Sequence, residues 1–287
     1  MDKFKIIFLL FVIILYYIYT KKYENFKNNN ILDKITIGIK TFCRPKCLDE
    51  CLMNITKYYK NINILISDDS TNEIKKKNKV IINKYTQINK NINLINLPFD
   101  SGLSKGRNIL VDNCKTKYFL LIDDSRYITN KTQIEKMANF LENSNYDLIA
   151  GMLEPKCKQR AWSVGLFEKI DDTSKPIIVN IKKTYKKINN IYLNEVYDTN
   201  LALNIFMAKT DKLKQSPWNN KLKVGEHKIF FYNWFKNNNS CAICYNCYFG
   251  QVSNKNRKYF GNIKQKYRDR ALPNNKFSSD KLIKFIF

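Results

Sequence analysis

This sequence predicts an α/β fold: a mostly parallel sheet covered by helices on both faces, preceded by one apolar, membrane-crossing helix. Three observations carry that expectation. Apolar β-branched runs alternate with helical patterns through the first half, two of those runs end on paired acids, and a nearly uninterrupted apolar stretch opens the chain. Strands that alternate with helices build a parallel sheet with both faces covered. At 287 residues the chain can bury a sizeable core, as one large domain or two closely packed halves.

The elements follow in order. Phe4 to Tyr19, "FKIIFLLFVIILYYIY", is broken only by Lys5. At about 1.5 Å per residue it covers most of a bilayer core. The bulky "YYIYTKK" that follows offers no small-residue cleavage site, which favours a retained signal-anchor over a cleaved leader. Residues 4–20 are the expected membrane contact and residues 1–30 the anchor with a short polar stem. Basic residues on both sides leave its orientation open on charge alone. "KITIGIKTF" (34–42) is the first strand. A helix follows with Leu48, Cys51, Leu52, Ile55, Tyr58 and Tyr59 on one face. "NINILISDDS" (61–70) is a second strand ending in acids, then a polar, lysine-rich helix or loop, then a third strand, "NINLINL" (91–97). "SGLSKGRNILVDNC" is a turn opening a helix. "KYFLLIDDS" is the fourth strand, "TQIEKMANFLEN" a helix and "YDLIAGML" a fifth strand. From 156 to 200 the pattern is irregular or strand-rich. "GEHKIFFYNWFKN" is an amphipathic helix, "CAICYNCYFGQVSN" a strand leaving the core, and the end from about Ile263 a basic tail.

Composition narrows the function classes. Lys plus Arg is 50 against 25 acids, a formal charge of +25. Such an excess ordinarily points to polyanions. Here the lysines are scattered among Asn and Ile, as in "NKYTQINKNINLINL", the signature of an A/T-rich coding sequence, so no nucleic-acid partner is expected. Clusters such as 75–77 and 182–183 read as solvated faces. Eight cysteines are ordinary in an oxidising lumen. "CAICYNC" has zinc-like spacing without a downstream Cys/His pair, and His227 is the sole histidine, so disulfides or buried thiols are expected before zinc. Sequons stand at Asn54, Asn130 and Asn238.

In parallel sheets ligands bind beyond the carboxyl ends of the strands. Asp68–Asp69, Asp123–Asp124 and the glycine turn at 102–108 all fall on that rim. Adjacent carboxylates at a strand end suit a hard divalent cation shared with phosphate oxygens. Acids on a second strand suit a ribose or base edge, and Arg107 at a helix start suits a phosphate. No G-x-G-x-x-G follows the first strand, so a nucleotide-sugar fits better than a dinucleotide.

With these residues in view, the chain resembles family 2 glycosyltransferases of the GT-A fold, and more narrowly β-1,4-N-acetylgalactosaminyltransferases of the ganglioside-synthase type. The likeness runs from about Ile35 to Asn254 through "TIGIKTFCRPKCLDECLMNI", "ILISDDS", "LPFDSGLSKGRN", "KYFLLIDDS", "DLIAGMLE", "NIFMAKTDKLKQSPWNNKLKVGEHKIFF" and "FGQVSN". It implies a Rossmann-type sheet with a nucleotide-sugar half at 31–155, an acceptor and catalytic half at 156–262 and a tail at 263–287. It implies inverting transfer of a hexose or N-acetylhexosamine from a UDP-sugar to a glycan or glycolipid. Asp68 and Asp69 would contact uridine, Gly102, Arg107 and Asn108 would shape the nucleotide pocket, and Asp123 and Asp124 would stand in the D-x-D motif holding Mn²⁺ or Mg²⁺. Glu226 would be the base, and the stretch with Trp218 would line the sugar and acceptor side. A type II, single-pass protein with a lumenal domain in a Golgi- or ER-type membrane is implied as well.

Three positions depart from the family pattern. The third motif acid is Ser125. The acid before the paired phenylalanines is replaced by Lys228 and Ile229. The histidine before "VSN" is Gln251. These departures leave open a second expectation, a transferase-fold protein that keeps binding or scaffold function.

Overall fold

The computed structural model describes residues 12–14, 16–17, 30–155, 157, 166–168, 177–179, 186–223 and 225–252. Of the expected membrane segment only 12–14 and 16–17 fall among these, helical and exposed. No helix among the described residues is long and apolar enough to cross a membrane. The rest of that segment and the basic tail lie outside the described residues.

The first strand is β1 (Ile35–Thr41), buried along its whole length. It feeds α1 (Pro45–Tyr58), whose first turn carries Pro45, where a missing N–H costs nothing. Then come β2 (Asn63–Asp68), α2 (Asn72–Thr86), β3 (Ile92–Asn96), α3 (Leu103–Asn113) and β4 (Tyr118–Asp123). β5 (Arg126–Ile128), α4 (Ile134–Glu142), β6 (Leu148–Leu153), β7 (Leu166–Glu168) and β8 (Ile177–Val179) follow. β9 (Val196–Thr199), β10 (Phe206–Lys209), α5 (Thr210–Gln215), α6 (Glu226–Lys236) and β11 (Cys241–Gln251) complete the order.

The main sheet runs β3-β2-β1-β4-β10-β6-β11-β5, with β9 also paired to β11, and β7 with β8 form a separate two-stranded sheet. β1 is parallel to β2 and β4, β2 to β3, and β6 to β11. β10 is antiparallel to both β4 and β6, and β5 and β9 are antiparallel to β11. The sheet is therefore mixed rather than mostly parallel. The direction of β10 is set by how the chain returns to the sheet, which the apolar run "IFMAK" does not encode. A second expectation is also corrected. The strand from Cys241 does not leave the core: it lies between β6 on one side and β9 and β5 on the other, with Cys241, Ala242, Ile243, Cys244, Cys247 and Phe249 buried.

The strand period of two sends alternate side chains into two cores. Ile37, Ile39, Leu120 and Ile122 pack with Leu48, Leu52 and Ile55 of α1. Phe119, Leu121 and Phe206 face the opposite layer with Leu110, Trp218, Phe230, Phe231 and Trp234. None of the eight cysteines, all among the described residues, forms a disulfide, and all but Cys157 are buried. Cys241, Cys244 and Cys247 serve as packed thiols, their pKa values raised by burial. Asn54 lies inside α1 and donates to Glu50 O, and Thr56 of its sequon is buried.

Gly38 marks a close approach across the sheet. A Cβ there would sit 2.0 Å from Phe119 Cζ, so the ring would have to leave its site. Gly38→Ala is expected to cost about 1–3 kcal/mol by overpacking, read as a lower urea midpoint with an unchanged slope.

Candidate active site at the carboxyl rim

β1 is flanked by β2 and β4, and Thr41 pairs with Asp68 while Lys40 pairs with Asp123. Strand order reverses here, so the crevice beyond these three strands is the topological switch point where ligands bind in open α/β sheets. At roughly 4.8 Å per strand, the two acids stand about 10 Å apart on one rim.

The acids divide into those consumed by the protein and those left open. Asp68 is fully buried: its Oδ1 accepts from Ser70 N–H and its Oδ2 from Asn78 Nδ2, both at 2.8 Å. Asp69 is ion-paired with Lys40 and accepts from Gly102 N–H at 2.8 Å. Neither carboxylate is open to a uridine. They fix the loop after β2 and the turn at Gly102, whose φ of +94° a side chain would not tolerate. Asp124 is equally closed. Arg44 binds it through two nitrogens, and Thr41 Oγ1 donates to it at 2.8 Å. Asp124 and its neighbour Asp123 raise the Arg44 pKa against the burial that lowers it.

Asp123 differs. Its side chain keeps a quarter of its exposure, and only Oδ1 is taken, by Arg107 Nη2 at 2.9 Å. Burial would push its pKa up, but Arg107 foremost, with Arg126 and Arg44, holds it below the ordinary carboxylate range. The other arm of the same guanidinium, Nη1, donates to Glu226 Oε1 at 2.6 Å. Arg107 is nearly fully buried, and these two acids raise its pKa although burial lowers it. Glu226 opens α6 immediately after Gly225, which supplies a left-handed φ of +81°. A helix N-terminus favours the carboxylate there. Asn204 Nδ2 lies 3.5 Å from the same Oε1. One guanidinium thus ties an acid at the end of β4 to an acid at the start of α6 and takes one oxygen from each.

The floor is aromatic. The Arg107 guanidinium lies 5.8 Å above the Trp218 ring, which stacks on Phe230 at 4.3 Å. Asn108 clamps the Trp218 backbone through both its N–H and C=O, at 2.9 and 2.8 Å. Trp218 is only 2% exposed, so it supports Arg107 from below and does not line a sugar subsite. Phe42 and Phe99 pair at 5.7 Å on the rim, with Phe99 exposed.

Lys40, Arg44, Asn204 and the aromatic pair are contributors that motif reading passed over. A signal existed for the first: a lysine in the otherwise apolar run "TIGIKTF" needs a buried acid beside it.

The donor set does not make a divalent-cation site. Asp124 is occupied, Asp123 offers one oxygen, and the third motif position is neutral Ser125. No group of three or more His, Cys, Asp or Glu among the described residues could hold a metal ion.

Comparison with known proteins agrees with this architecture. Residues 36–161 match the model of Glycosyl transferase family 2, and the fold is GT-A-like. Among its relatives, mouse (Mus musculus) beta-1,4 N-acetylgalactosaminyltransferase 2 is 32% identical over 134 residues, 47% of this chain and 24% of that protein. Mouse beta-1,4 N-acetylgalactosaminyltransferase 1 is 26% identical over 204 residues, 70% of this chain and 36% of that protein. The chain therefore spans about a third or less of the length of these relatives. The crystal structure of S. aureus TarS 1-349 superposes with a TM-score of 0.56 at 16% identity, covering 86% of this chain and 67% of that one. TarS 1-349 in complex with UDP-GlcNAc gives 0.55 at 18% identity, covering 77% and 58%.

Proposed function

We propose that the protein is an inverting glycosyltransferase that moves a hexose or N-acetylhexosamine from a UDP-sugar to a hydroxyl of a glycan or glycolipid. The carrying observation is the Arg107 bridge, which places two carboxylates at the switch point with one oxygen apiece in reserve. Glu226 Oε2 takes the proton from the acceptor hydroxyl as that oxygen attacks the anomeric carbon. The bond to the diphosphate breaks with its electron pair on the departing UDP, and configuration inverts. Asp123 Oδ2 accepts hydrogen bonds from the donor's hydroxyls. The Phe42–Phe99 pair offers a face for the uracil ring. Asp68, Asp69, Asp124, Gly102 and Asn108 set the shape of the pocket from within. The apolar run at 4–20 supports attachment to a membrane, with the transferase domain on the lumenal side of a Golgi- or ER-type compartment.

GT-A glycosyltransferases typically use a divalent cation, which would shield the diphosphate. Among the described residues the carboxylates at the rim do not make up its ligand set. The test is UDP release from UDP-N-acetylgalactosamine, UDP-N-acetylglucosamine, UDP-galactose and UDP-glucose by the full-length chain, with and without glycolipid acceptors. Acceptor-stimulated release from one donor is the expected result. UDP binding without release from any donor would favour the scaffold reading, to which the neutral Ser125 and Gln251 lend weight.

A further inference from the structure

The outer edge of β11 is shared by two strands, and a pocket opens where they part. β9 pairs with β11 over Cys241–Cys244 and β5 over Phe249–Gln251. Between them the register of β11 against β6 shifts, from Ile243 to Tyr248. A bulge of this kind re-aims side chains at a sheet edge. Here it sets Asn246 opposite the hairpin loop that leads into β9, and the two enclose an open pocket of about 450 Å³. The loop is firmly built. Lys187 bridges to Tyr197, and Ile188 N–H donates to Val196 O at 2.8 Å. Asn190 Oδ1 accepts from the backbone N–H groups of Tyr192 and Leu193 at 3.0 and 2.7 Å. Cys244 Sγ lies 3.3 Å from Asn194 O and 2.9 Å from Asn246 Oδ1, between the loop and the bulge.

From its lining we infer that this pocket binds a saccharide, at a site separate from the crevice at the carboxyl rim. Ile188 and Leu193 give it an apolar floor continuous with the core. Asn189, Asn194 and Asn246 bring side-chain amides to it. Among the described residues, the amides of Asn189 and Asn194 and the Nδ2 of Asn246 make no hydrogen bond, since only Asn246 Oδ1 is engaged. Lys187 and Glu195 pair at 2.7 Å, so the wall carries no net charge. A pyranose matches this set: its hydroxyls both donate and accept, as amides do, and its C–H face lies on aliphatic carbon. An anion would meet a lysine already neutralised, and a wholly apolar ligand would leave the amides unpaired. Leu193 belongs to the core layer of α1, whereas Trp218 beneath Arg107 belongs to the other layer. β11 also stands three strands from β4, about 14 Å across the sheet. A sugar held here is therefore not the unit that receives the transfer. On the transferase reading it is a distal unit of a longer glycan, but the binding itself does not rest on that reading.

The experiment is saturation-transfer NMR of the full-length chain with three probes, diacetylchitobiose, lactose and maltotriose, each with and without saturating UDP. At least one probe should bind with a Kd of about 1 mM, and UDP should not displace it. Asn246→Asp keeps the Oδ1 that faces Cys244 and removes the Nδ2 donors. Asn246→Asp and Asn189→Ala should each weaken that probe by about fivefold, the scale of one neutral hydrogen bond. Asn96→Ala, which removes an exposed amide on the far edge strand β3, should leave binding unchanged. Urea midpoints close to that of the wild type show that the variants are folded. Absence of binding by all three probes would overturn the inference. So would binding that Asn189→Ala and Asn246→Asp both leave intact, or displacement by UDP, which would put the sugar in the crevice. None of these outcomes bears on UDP-sugar turnover, so failure here leaves the transferase reading in place.

Discussion

Arg107→Met is expected to lower unfolding free energy by about 3–5 kcal/mol, because it removes the one buried cation that is hydrogen-bonded to both Asp123 and Glu226. Arg107 is nearly fully buried and answers both Asp123 and Glu226 at hydrogen-bonding distance. Methionine fills a similar volume over Trp218 but leaves both acids without their cation. Arg107→Lys should cost less, since the charge stays, but one ammonium cannot reproduce a fork that reaches two acids on different elements. Urea unfolding of the three proteins checks the order wild type, Lys, Met. The pH dependence gives an independent reading. The folded pKa of Asp123 is depressed, chiefly by Arg107. Its contribution is therefore complete above the unfolded aspartate value, about 3.9, and is lost as pH falls through the lower folded value. The Met variant should lose this part of the acid limb. Equal stability of wild type and Met at neutral pH would show that the bridge does not hold the site together.

The rim itself was legible in the sequence because strand ends can be read locally: apolar runs stop at Asp68 and Asp123, and register then places both beside β1. Which acids stay open was not legible. Asp69 is closed by Lys40, 29 residues away, and Asp124 by Arg44, 80 residues away. Glu226 meets Arg107 across 119 residues. Such pairings depend on which strands become neighbours, and a list of motifs treats every acid on the rim alike. The same limit hid the direction of β10 and the role of Trp218. An aromatic in the loop "QSPWNN" reads as a sugar platform until Asn108 is seen to hold its backbone and Phe230 to cover its face. Ser125 and Gln251 were each visible as substitutions. Their adjacency exists only once β11 has folded back along β5.

Glu226→Gln should lower the turnover number by about 10²–10⁴-fold, the usual weight of a positioned general base, while UDP affinity changes by no more than about twofold. The geometry makes this substitution informative. The amide oxygen of Gln can still accept from Arg107 Nη1, as Oε1 does now at 2.6 Å, so the bridge to α6 persists. What disappears is the basic lone pair on the second oxygen, the one to which no donor among the described residues is directed. A purely structural Glu226 would reveal itself differently: the amide would alter urea stability and UDP affinity as much as turnover, through a loosened α6. The two roles separate again in the substrate dependence, because a base acts only on the acceptor hydroxyl. Transfer to a hydroxyl acceptor should fall by the full factor. Slow release of UDP by water should fall less, since water can pass its proton to solvent. If Glu226→Gln transfers sugar at the wild-type rate, the proton leaves by another route, and the start of α6 is an anchor for Arg107 alone.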